Sequence, residues 1–389
     1  MRKEILGNIC TIVSGGTPSR SNREYWDGGD IPWIKISDVN GKYVFEADEY
    51  ITQSGLKNSS AKMLTKGTIL YTIFATLGET GILDFDACTN QAIAGITIRD
   101  ASELLTDYLY YYLKAQKKHV AEIGRGVAQN NINMSILRAF EVPLPSIQEQ
   151  HAIVELLDRI EKLIQLRQRQ LSALNTLIKA RFVEMFGDML INPLDWPEQR
   201  LETVAEIVSG ITKGRKLKTT ELFDVPYMAV SNVKDGYIDW TTVKSIAASK
   251  TEIEQYRLLP DDVLMTEGGD PDKLGRGAII HNPPKDCIHQ NHIFRVRLNQ
   301  EHILPEFMEQ YLQHQRAKRY FLGCAKQTTG IASINMTQLR ALPMLMPPME
   351  LQKQFVTFVF EVDKSKIAVQ TSLNKTQLLF ESLMQIYFG

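Results

Sequence analysis

The sequence predicts an α+β fold with two mixed α/β domains separated by two long antiparallel helices that form a coiled-coil-like pair. Three observations predict it: an internal repeat, short β-like runs divided by turn residues, and an apolar stripe at helical spacing that closes each half. The 389 residues are 44% hydrophobic and 23% charged, as in globular proteins of two or three domains. No run of about 18 apolar residues occurs, so we expect no membrane span.

The internal repeat has a period of roughly 200 residues, a length that indicates duplication of a whole domain. The matched segments are collinear, which predicts a pseudo-two-fold arrangement, although a duplication without functional meaning is the alternative. The matches are Ile12-Val13-Ser14-Gly15 with Ile207-Val208-Ser209-Gly210, Asp30-Ile31-Pro32-Trp33 with Asp224-Val225-Pro226-Tyr227, Cys88 and Gln91 with Cys287 and Gln290, Ile132-Asn133-Met134 with Ile334-Asn335-Met336, and Gln150 with Gln352.

Each half begins with a mixed segment. Residues 67–72 and 293–298 are β-like runs, and Gly, Asn and Pro residues mark turns between such runs. Short helices are predicted at 105–118 and 305–319.

A long helix closes each half. Ser146 and Glu149 form a capping-box pattern at the start of the first helix. The stripe of the second helix is less regular, because Lys366 takes the place of an apolar residue. The alternative is two ordinary amphipathic helices, each packed on its own domain. The residues predicted to pack between the helices are Leu157, Ile164, Leu171, Ile178, Val359, Leu373 and Phe380.

The connector between the halves, 188–200, is short compared with the first helix, which would be about 57 Å long at 1.5 Å per residue. The second domain should therefore begin near the far end of the first helix, and the second helix should run back. The predicted boundaries are 1–147 for the first domain, 148–187 for the first helix, 188–349 for the second domain and 350–389 for the second helix.

The charges and cysteines restrict the setting of the protein. The net charge is −1, so a role in binding DNA would depend on a local basic face or on a partner that contributes positive charge. None of the cysteines forms a Cys-x-x-Cys pair, so we expect free thiols in a reducing cytoplasm. They are Cys10, Cys88, Cys287 and Cys324.

Catalytic and metal patterns are weak. Asn282-Pro283-Pro284-Lys285 begins like an adenine-N6 methyltransferase motif, but Lys285 replaces the aromatic residue that stacks on a flipped base. We therefore expect a turn at this motif and no catalytic residue. We also expect no metal, because the spacing of the nearby candidates is not that of a ligand set. Those candidates are His281, Cys287, His289 and His292.

The segments 15–26 and 29–34, with Gly15-Gly16-Thr17-Pro18 at their start, strongly resemble the opening of a target-recognition domain in specificity subunits of type I restriction–modification enzymes. Asn131-Ile132-Asn133, Pro143-Leu144-Pro145 and Gln148-Glu149-Gln150 resemble the junction to the helix of such proteins. The resemblance covers the whole chain. The second half departs from it, because residues 209–213 lack the Gly-Gly-Thr-Pro element.

The resemblance implies a non-catalytic subunit in the prokaryotic cytoplasm that reads a bipartite, asymmetric site on double-stranded DNA, one part per recognition domain. It implies two adenine-N6 methyltransferase subunits as partners, optionally with restriction (motor) subunits. No cofactor is expected in this chain, whereas S-adenosylmethionine, and ATP with Mg, are expected in the partners. The alternatives are a self-sufficient DNA methyltransferase and a protein-interaction scaffold with no DNA role.

Polar and basic residues on loops are the groups that reach base edges and phosphates. In the first domain the predicted DNA-binding residues are Thr17, Ser19, Arg20, Ser21, Asn22, Arg23, Lys35, Ser37, Asn90, Gln91, Arg125 and Gln129. In the second they are Lys213, Gly214, Arg215, Lys216, Lys218, Asp270, Lys273, Arg276, Gln290, Asn291, Thr328 and Thr329.

Overall fold

Two units share the long helices. The computed structural model describes residues 2–125, 132–216, 221–270, 274–328 and 331–389, without the side chains of 123–125, 327, 328 and 331. One unit consists of Met1–Gln168 and Thr371–Gly389, and the other of Arg169–Gln370. Each unit therefore contains one mixed domain, part of the first long helix and part of the second long helix. Within the described ranges, no helix is long and apolar enough to cross a membrane.

The first unit alternates short strands and helices. In chain order they are β1 (Lys3–Ile5), α1 (Leu6–Ile9), β2 (Cys10–Ser14), β3 (Ile31–Ile34), β4 (Tyr43–Val44), β5 (Glu49–Ile51), α2 (Gln53–Lys57), β6 (Ile69–Thr72), β7 (Thr80–Leu83), β8 (Cys88–Thr89), β9 (Ile93–Ile98), α3 (Thr106–Ala115), α4 (Lys117–Arg125), α5 (Met134–Arg138), β10 (Glu141–Pro143) and α6 (Ile147–Phe186).

The second unit repeats most, but not all, of this order and adds further short strands. Its elements are β11 (Glu198–Arg200), β12 (Ala205–Ser209), β13 (Phe223–Met228), β14 (Lys244–Ala248), α7 (Lys250–Tyr256), β15 (Val263–Thr266), β16 (Gly268–Gly269), β17 (Gly277–Ile279), β18 (Ile288–His289), β19 (Ile293–Leu298), α8 (Pro305–Gln313), α9 (Gln315–Cys324), β20 (Lys326–Thr328), β21 (Ile331–Ser333), α10 (Met336–Arg340), β22 (Pro343–Leu345) and α11 (Met349–Phe388).

The sheets confirm the duplication. The main sheet has the order β2-β9-β6-β7-β4 in the first unit and β12-β19-β15-β17 in the second. A three-stranded sheet accompanies each, with the order β5-β3-β8 and β14-β13-β18. In both units a short strand pair, β1 with β10 and β11 with β22, joins the beginning of the domain to the segment before the long helix.

Strand register corrects one equivalence predicted from the sequence. Cys88 pairs with Trp33, whereas Ile288 pairs with Tyr227, the counterpart of Trp33. The structural counterpart of Cys88 is therefore Ile288 rather than Cys287, and that of Gln91 is Asn291 rather than Gln290. The predicted match was wrong by one residue. It aligned identical residue types, Cys with Cys and Gln with Gln, whereas equivalence in a strand is decided by its pairing register.

Two helices predicted as continuous are each divided in two. The segment predicted at 305–319 breaks at His314, whose backbone is extended and whose ring accepts a hydrogen bond from the amide of Arg316. The segment predicted at 105–118 ends at Ala115, and a new helix begins at Lys117. The capping box at the start of α6 is confirmed, since Ser146 N donates to Glu149 at 2.8 Å and Glu149 N donates to the Ser146 hydroxyl at 3.3 Å.

The long helices pack against each other in antiparallel fashion within each unit. In the first unit Leu157, near the start of α6, shares a core with Met384 and Phe388, at the end of α11. In the second unit Phe182, near the end of α6, shares a core with Phe355, near the start of α11. The alternative in which each helix packs only on its own domain is therefore wrong.

The predicted stripe residues all lie on the inner, less exposed sides of their helices. Those that are buried are Leu157, Ile178, Val359 and Leu373, and those that are half-buried are Ile164, Leu171 and Phe380. One polar contact interrupts the stripe in the first unit: Arg167 donates to the carbonyl of Ser372 at 3.0 Å and to the Thr376 hydroxyl. In the internal repeat, Val369 of α11 corresponds to Arg167, and Leu174 of α6 corresponds to Thr376. Both counterparts are apolar, so the pseudo-two-fold symmetry is broken at this contact.

A buried glutamine joins each mixed domain to its long helix. Gln150 and Gln352 are both fully buried. The Gln150 side chain accepts from the amide of Leu105 at 2.9 Å, and donates to the carbonyls of Glu103 at 2.8 Å and Pro145 at 3.0 Å.

Gln352 makes the same three hydrogen bonds, with Leu304 at 2.9 Å, His302 at 3.1 Å and Pro347 at 2.9 Å. Each amide thus connects the first turn of its long helix to the start of an earlier helix of the same domain, α3 or α8.

Replacing Gln150 by Leu should destabilise the first unit by about 2–4 kcal/mol, because buried backbone groups of Leu105, Glu103 and Pro145 lose their partners. Urea unfolding of the chain would measure the loss. Gln148 is exposed in the same turn, so Gln148→Leu is the matched control and should change stability by less than about 0.5 kcal/mol. Equal effects of the two substitutions would contradict the role given to the buried amide.

Candidate nucleic-acid interface

The first loop, residues 15–23, follows β2 and crosses the end of β8. A Cβ atom on Gly15 would lie 2.1 Å from the carbonyl oxygen of Asn90, so only glycine permits this approach. The amide of Gly16 donates to the carbonyl of Thr89 at 2.8 Å. The Thr17 hydroxyl donates to the side-chain oxygen of Gln91. The structure therefore brings together two predicted DNA-binding residues that are far apart in sequence.

Two tryptophans support this loop. The indole nitrogen of Trp33 donates to the carbonyl of Gly16 at 2.9 Å, and that of Trp26 donates to the carbonyl of Ser19 at 3.1 Å. The guanidinium of Arg20 lies over both rings, 3.7 Å from the centroid of Trp26 and 4.8 Å from that of Trp33. Stacking of this kind restricts the orientation of the arginine.

Glu49 is a site residue that the sequence analysis missed. It accepts a hydrogen bond from Arg20, and its carboxylate lies 3.0 Å from the Lys35 ammonium, which is also 3.4 Å from Asp48. The hydrogen bond from Arg20 is the main reason that the pKa of Glu49 is lowered. No local pattern marks Glu49, because it reaches the loop only through the pairing of β5 with β3.

The remaining candidates of the first unit have mixed roles. The side chain of Arg23 is exposed and makes no hydrogen bond or ion pair within the ranges that the structure describes. The others make local contacts that leave them at the surface or half-buried: the hydroxyls of Ser19 and Ser21 lie 2.9 Å apart, Asn22 accepts from the amide of Glu24, Ser37 donates to Asp38, and Asn90 accepts from the amide of Ala92.

The second loop, residues 210–216, has the same backbone anchor with different side chains. A Cβ atom on Gly210 would lie 1.9 Å from the carbonyl oxygen of His289, and the amide of Ile211 donates to that oxygen at 2.9 Å. The missing Gly-Gly-Thr-Pro element therefore does not remove the loop. Gly214 has a φ of 78°, a conformation that favours glycine.

The basic residues of the second loop differ in exposure. Lys213 and Lys216 are exposed and have no hydrogen bond or ion pair in the described part of the chain. Arg215 has only 17% of its side chain exposed and forms a bidentate pair with Glu252, at 2.5 and 2.8 Å. It also donates to the carbonyl of Ala247 at 3.1 Å. The structure thus gives Arg215 a structural partner that the sequence analysis did not predict.

The other described candidates of the second unit lie around its loops. Gln290 accepts from the amide of Val230 at 3.3 Å, and Asn291 lies beside His292. Arg276 is half-buried after Gly275, whose φ is 72°, and Asp270 is exposed. The remaining predicted residues lie outside the described residues or side chains: Arg125, Gln129, Lys218, Lys273, Thr328 and Thr329.

In the part of the chain that the structure describes, the candidate metal ligands do not come together as a ligand set. His289 is fully buried, with its ring nitrogens 3.1 and 3.3 Å from the carbonyls of Tyr256 and Val208, and burial lowers its pKa to about 4. Burial raises the pKa of the Cys287 thiol to about 12. Among the residues described, no group of three or more His, Cys, Asp or Glu side chains could hold a metal ion. Residues 284–287 form a turn.

Comparisons with known proteins agree with this architecture. A sequence profile described as "Type I restriction modification DNA specificity domain" matches residues 3–176 and 193–377. The MjaIX specificity subunit of Methanocaldococcus jannaschii is 28% identical over 59% of this chain, and the match spans 57% of that relative. The EcoKI specificity subunit of Escherichia coli is 20% identical, and the match covers 98% of this chain and 86% of that protein.

Two solved structures share the fold. The S subunit of a type I restriction–modification system from M. genitalium gives a TM-score of 0.56 at 16% identity, with 100% of this chain and 96% of that chain covered. A chain from a structure of type I system assembly and conformational transition gives 0.62 at 16% identity, with 100% and 97% covered.

The ion pair between Glu252 and Arg215 makes the folding stability of the second unit depend on pH in the acidic range. The hydrogen bond from Arg215 is the main reason that the pKa of Glu252 is lowered from 4.5 to about 2. A carboxyl whose pKa is lowered by folding contributes stability above its unfolded pKa and loses that contribution as the pH falls through its folded pKa.

The melting temperature, measured from about pH 4.5 down to about pH 2, should therefore decline less steeply for Glu252→Gln than for the unmodified chain. Glu254 is exposed on the same helix, and Glu254→Gln should retain the original slope. The same slope for all three proteins would rule out this contribution.

Proposed function

Because the chain belongs to the type I restriction–modification DNA specificity family, we propose that it is the subunit that reads a bipartite, asymmetric DNA sequence. Each mixed domain reads one half of the site through its loop. The protein also serves as the scaffold on which two adenine-N6 methyltransferase subunits, and optionally restriction subunits, assemble.

One observation carries the proposal: the two domains share a loop anchor but differ in the side chains placed on it. Gly15 and Gly210 occupy the same place against β8 and β18. Beyond them, Ser19 and Gly214 hold equivalent positions, as do Gln91 and Asn291. Base readout depends on which donors and acceptors reach the groove. Two loops with different donors on one scaffold are suited to two different half-sites.

The charges of the loops are consistent with phosphate contacts that this chain shares with its partner subunits. The net charge of the chain is −1, and several loop cations already have carboxylate partners. The exposed loop cations that have no carboxylate partner among the described residues, including Arg23, Lys213 and Lys216, supply phosphate contacts. Further neutralisation comes from the methyltransferase subunits, because affinity for DNA depends strongly on the number of phosphates neutralised.

The paired helices are proposed to fix the gap between half-sites and to dock the methyltransferase subunits. Their outer faces carry exposed apolar side chains of the kind that protein interfaces use: Leu156, Leu163, Leu166 and Leu177 on α6, and Phe360, Ile367, Leu378 and Ile386 on α11. In this proposal the chain contributes no catalytic group or cofactor. S-adenosylmethionine, and ATP with Mg, act in the partner subunits.

Neither alternative function has support. Asn282 and Lys285 are exposed beside a surface turn, and Lys285 stands where the methyltransferase motif has the aromatic residue that stacks on a flipped base. A scaffold with no DNA role is not the description that the family profile or the two relatives carry.

The test is genome-wide mapping of N6-methyladenine in cells with and without this chain. We expect modification at a two-part sequence with a fixed gap, and its loss when the chain is removed. Unchanged modification after removal would refute the proposed function.

Inserting one heptad at equivalent places in α6 and α11 should lengthen the gap and leave both half-sites unchanged. Seven residues add about 10 Å of helix, which is the rise of about three base pairs and the upper limit for the change. A heptad insertion retains the apolar stripe, whereas insertion in one helix alone should abolish modification because the stripes no longer match. Altered half-sites with an unchanged gap would show that the helices do not set the spacing.

A further inference from the structure

Arg20 and Arg215 occupy equivalent places in the two loops. Each arginine is the fifth residue after a glycine, Gly15 or Gly210, that approaches the end of the equivalent strand β8 or β18. The amide after each glycine makes the same hydrogen bond to that strand. The arginines are therefore related by the internal duplication, although the residues between them and the glycines differ.

The strands beside the two loops carry aromatic residues at equivalent positions. Arg20 stacks on Trp33 of β3, and Tyr227 is the counterpart of Trp33 in β13. The feature common to both units is the position of the arginine in its loop and its pairing with a glutamate.

The carboxylates that bind these arginines come from positions that are not equivalent. Glu49 is opposite Trp33 in the β3–β5 pair, and the residue opposite Tyr227 in the second unit is Lys244. Glu252 is the third residue of α7, whose cap is Ser249.

The equivalent residue of α2, with its cap Thr52, is Gly55. A Cβ atom on Gly55 would lie 2.7 Å from the carbonyl oxygen of Tyr25, so the first unit cannot place a glutamate there. Each unit therefore forms an arginine–glutamate pair at this place in its loop, with the glutamate supplied from a different position.

The geometry of Arg215 is poorly suited to base reading. Its Nε and one terminal nitrogen are committed to Glu252 and to the carbonyl of Ala247. A bidentate contact to guanine needs two adjacent N–H groups of the fork. Arg215 could make that contact only by breaking a largely buried ion pair, which would leave Glu252 without its partner.

We propose that Arg20 and Arg215 are positioning residues that hold the two loops by ion pairs with Glu49 and Glu252, and that neighbouring exposed side chains contact DNA. This inference rests on the proposed function. It revises the sequence-based prediction that Arg20 and Arg215 themselves contact DNA, and it gives Glu49 and Glu252 a role in sequence specificity.

The experiment measures binding of the assembled complex, with its methyltransferase subunits, to duplexes of the mapped site at several salt concentrations. Each half-site is scrambled in turn, so that the half read by the second domain is identified by the variants themselves. Glu252→Gln retains a side chain that can accept from the Ser249 amide, and it removes the charge that holds Arg215.

If Arg215 positions the loop, Glu252→Gln should lower the preference for one intact half-site by about tenfold, and Arg215→Ala should do the same. The double variant should be no worse than Arg215→Ala, because both changes remove one interaction. Arg215→Lys should not restore the preference, since lysine lacks the planar fork. The salt dependence of binding should be unchanged by these variants, whereas Lys213→Ala with Lys216→Ala should reduce the slope by about two.

If Arg215 contacts DNA directly, Glu252→Gln frees a cation and should tighten binding. In that case Arg215→Ala should also lower the slope of log affinity against log salt concentration by about one. Either result would overturn the proposal. Preference for the other half-site serves as the internal control for folding, and its loss in Glu252→Gln would also count against a local positioning role. A wild-type complex that does not distinguish the mapped site from a scrambled duplex would instead refute the proposed function.

Discussion

The orientation of each recognition domain depends on one buried amide. Gln150 and Gln352 use both the oxygen and the nitrogen of their side chains to bind backbone groups from two separate segments. A buried polar group is stable only when all its partners are in place. Each glutamine therefore permits a single arrangement of domain and helix, which loose apolar packing alone would not specify.

The helix pair extends this constraint. The stripe of buried residues on α6 meets that of α11 in each unit, and the register is set by side chains such as Phe182 and Phe355. The contact of Arg167 with Thr376 places a polar group where its symmetry counterparts are Val369 and Leu174. A polar residue within an apolar seam favours one pairing over others, so this contact distinguishes the two halves of an otherwise repeated structure.

The loops combine a fixed backbone path with side chains that differ between the two domains. Gly15 and Gly210 fix the path of the backbone through close approach to a neighbouring strand, and ion pairs fix the arginines. The side chains that remain are free to differ between the domains without altering the scaffold. Carboxylates beside the loops neutralise some of their cations, so the positive charge that the loops present to solvent lies on the exposed cations.

The sequence by itself determined the features that repeat along the chain or act within a few residues. The stripe of α6, the capping box of Ser146 and Glu149, and the duplication with its matched glycines, Gly15 and Gly210, were all predicted, because helical periodicity, capping and sequence repeats are read directly along the chain. The family resemblance of the first loop was also contained in adjacent residues.

Only the tertiary structure decided which loop cations have partners. Glu49 and Glu252 lie 29 and 37 residues from the arginines they bind, and the intervening chain folds through strands whose register no local pattern fixes. The same reason explains the displaced equivalence of Cys88, whose counterpart follows from its partner across the sheet. A contact between side chains on different strands depends on pairing at long range, and a shift of one residue turns a side chain to the opposite face.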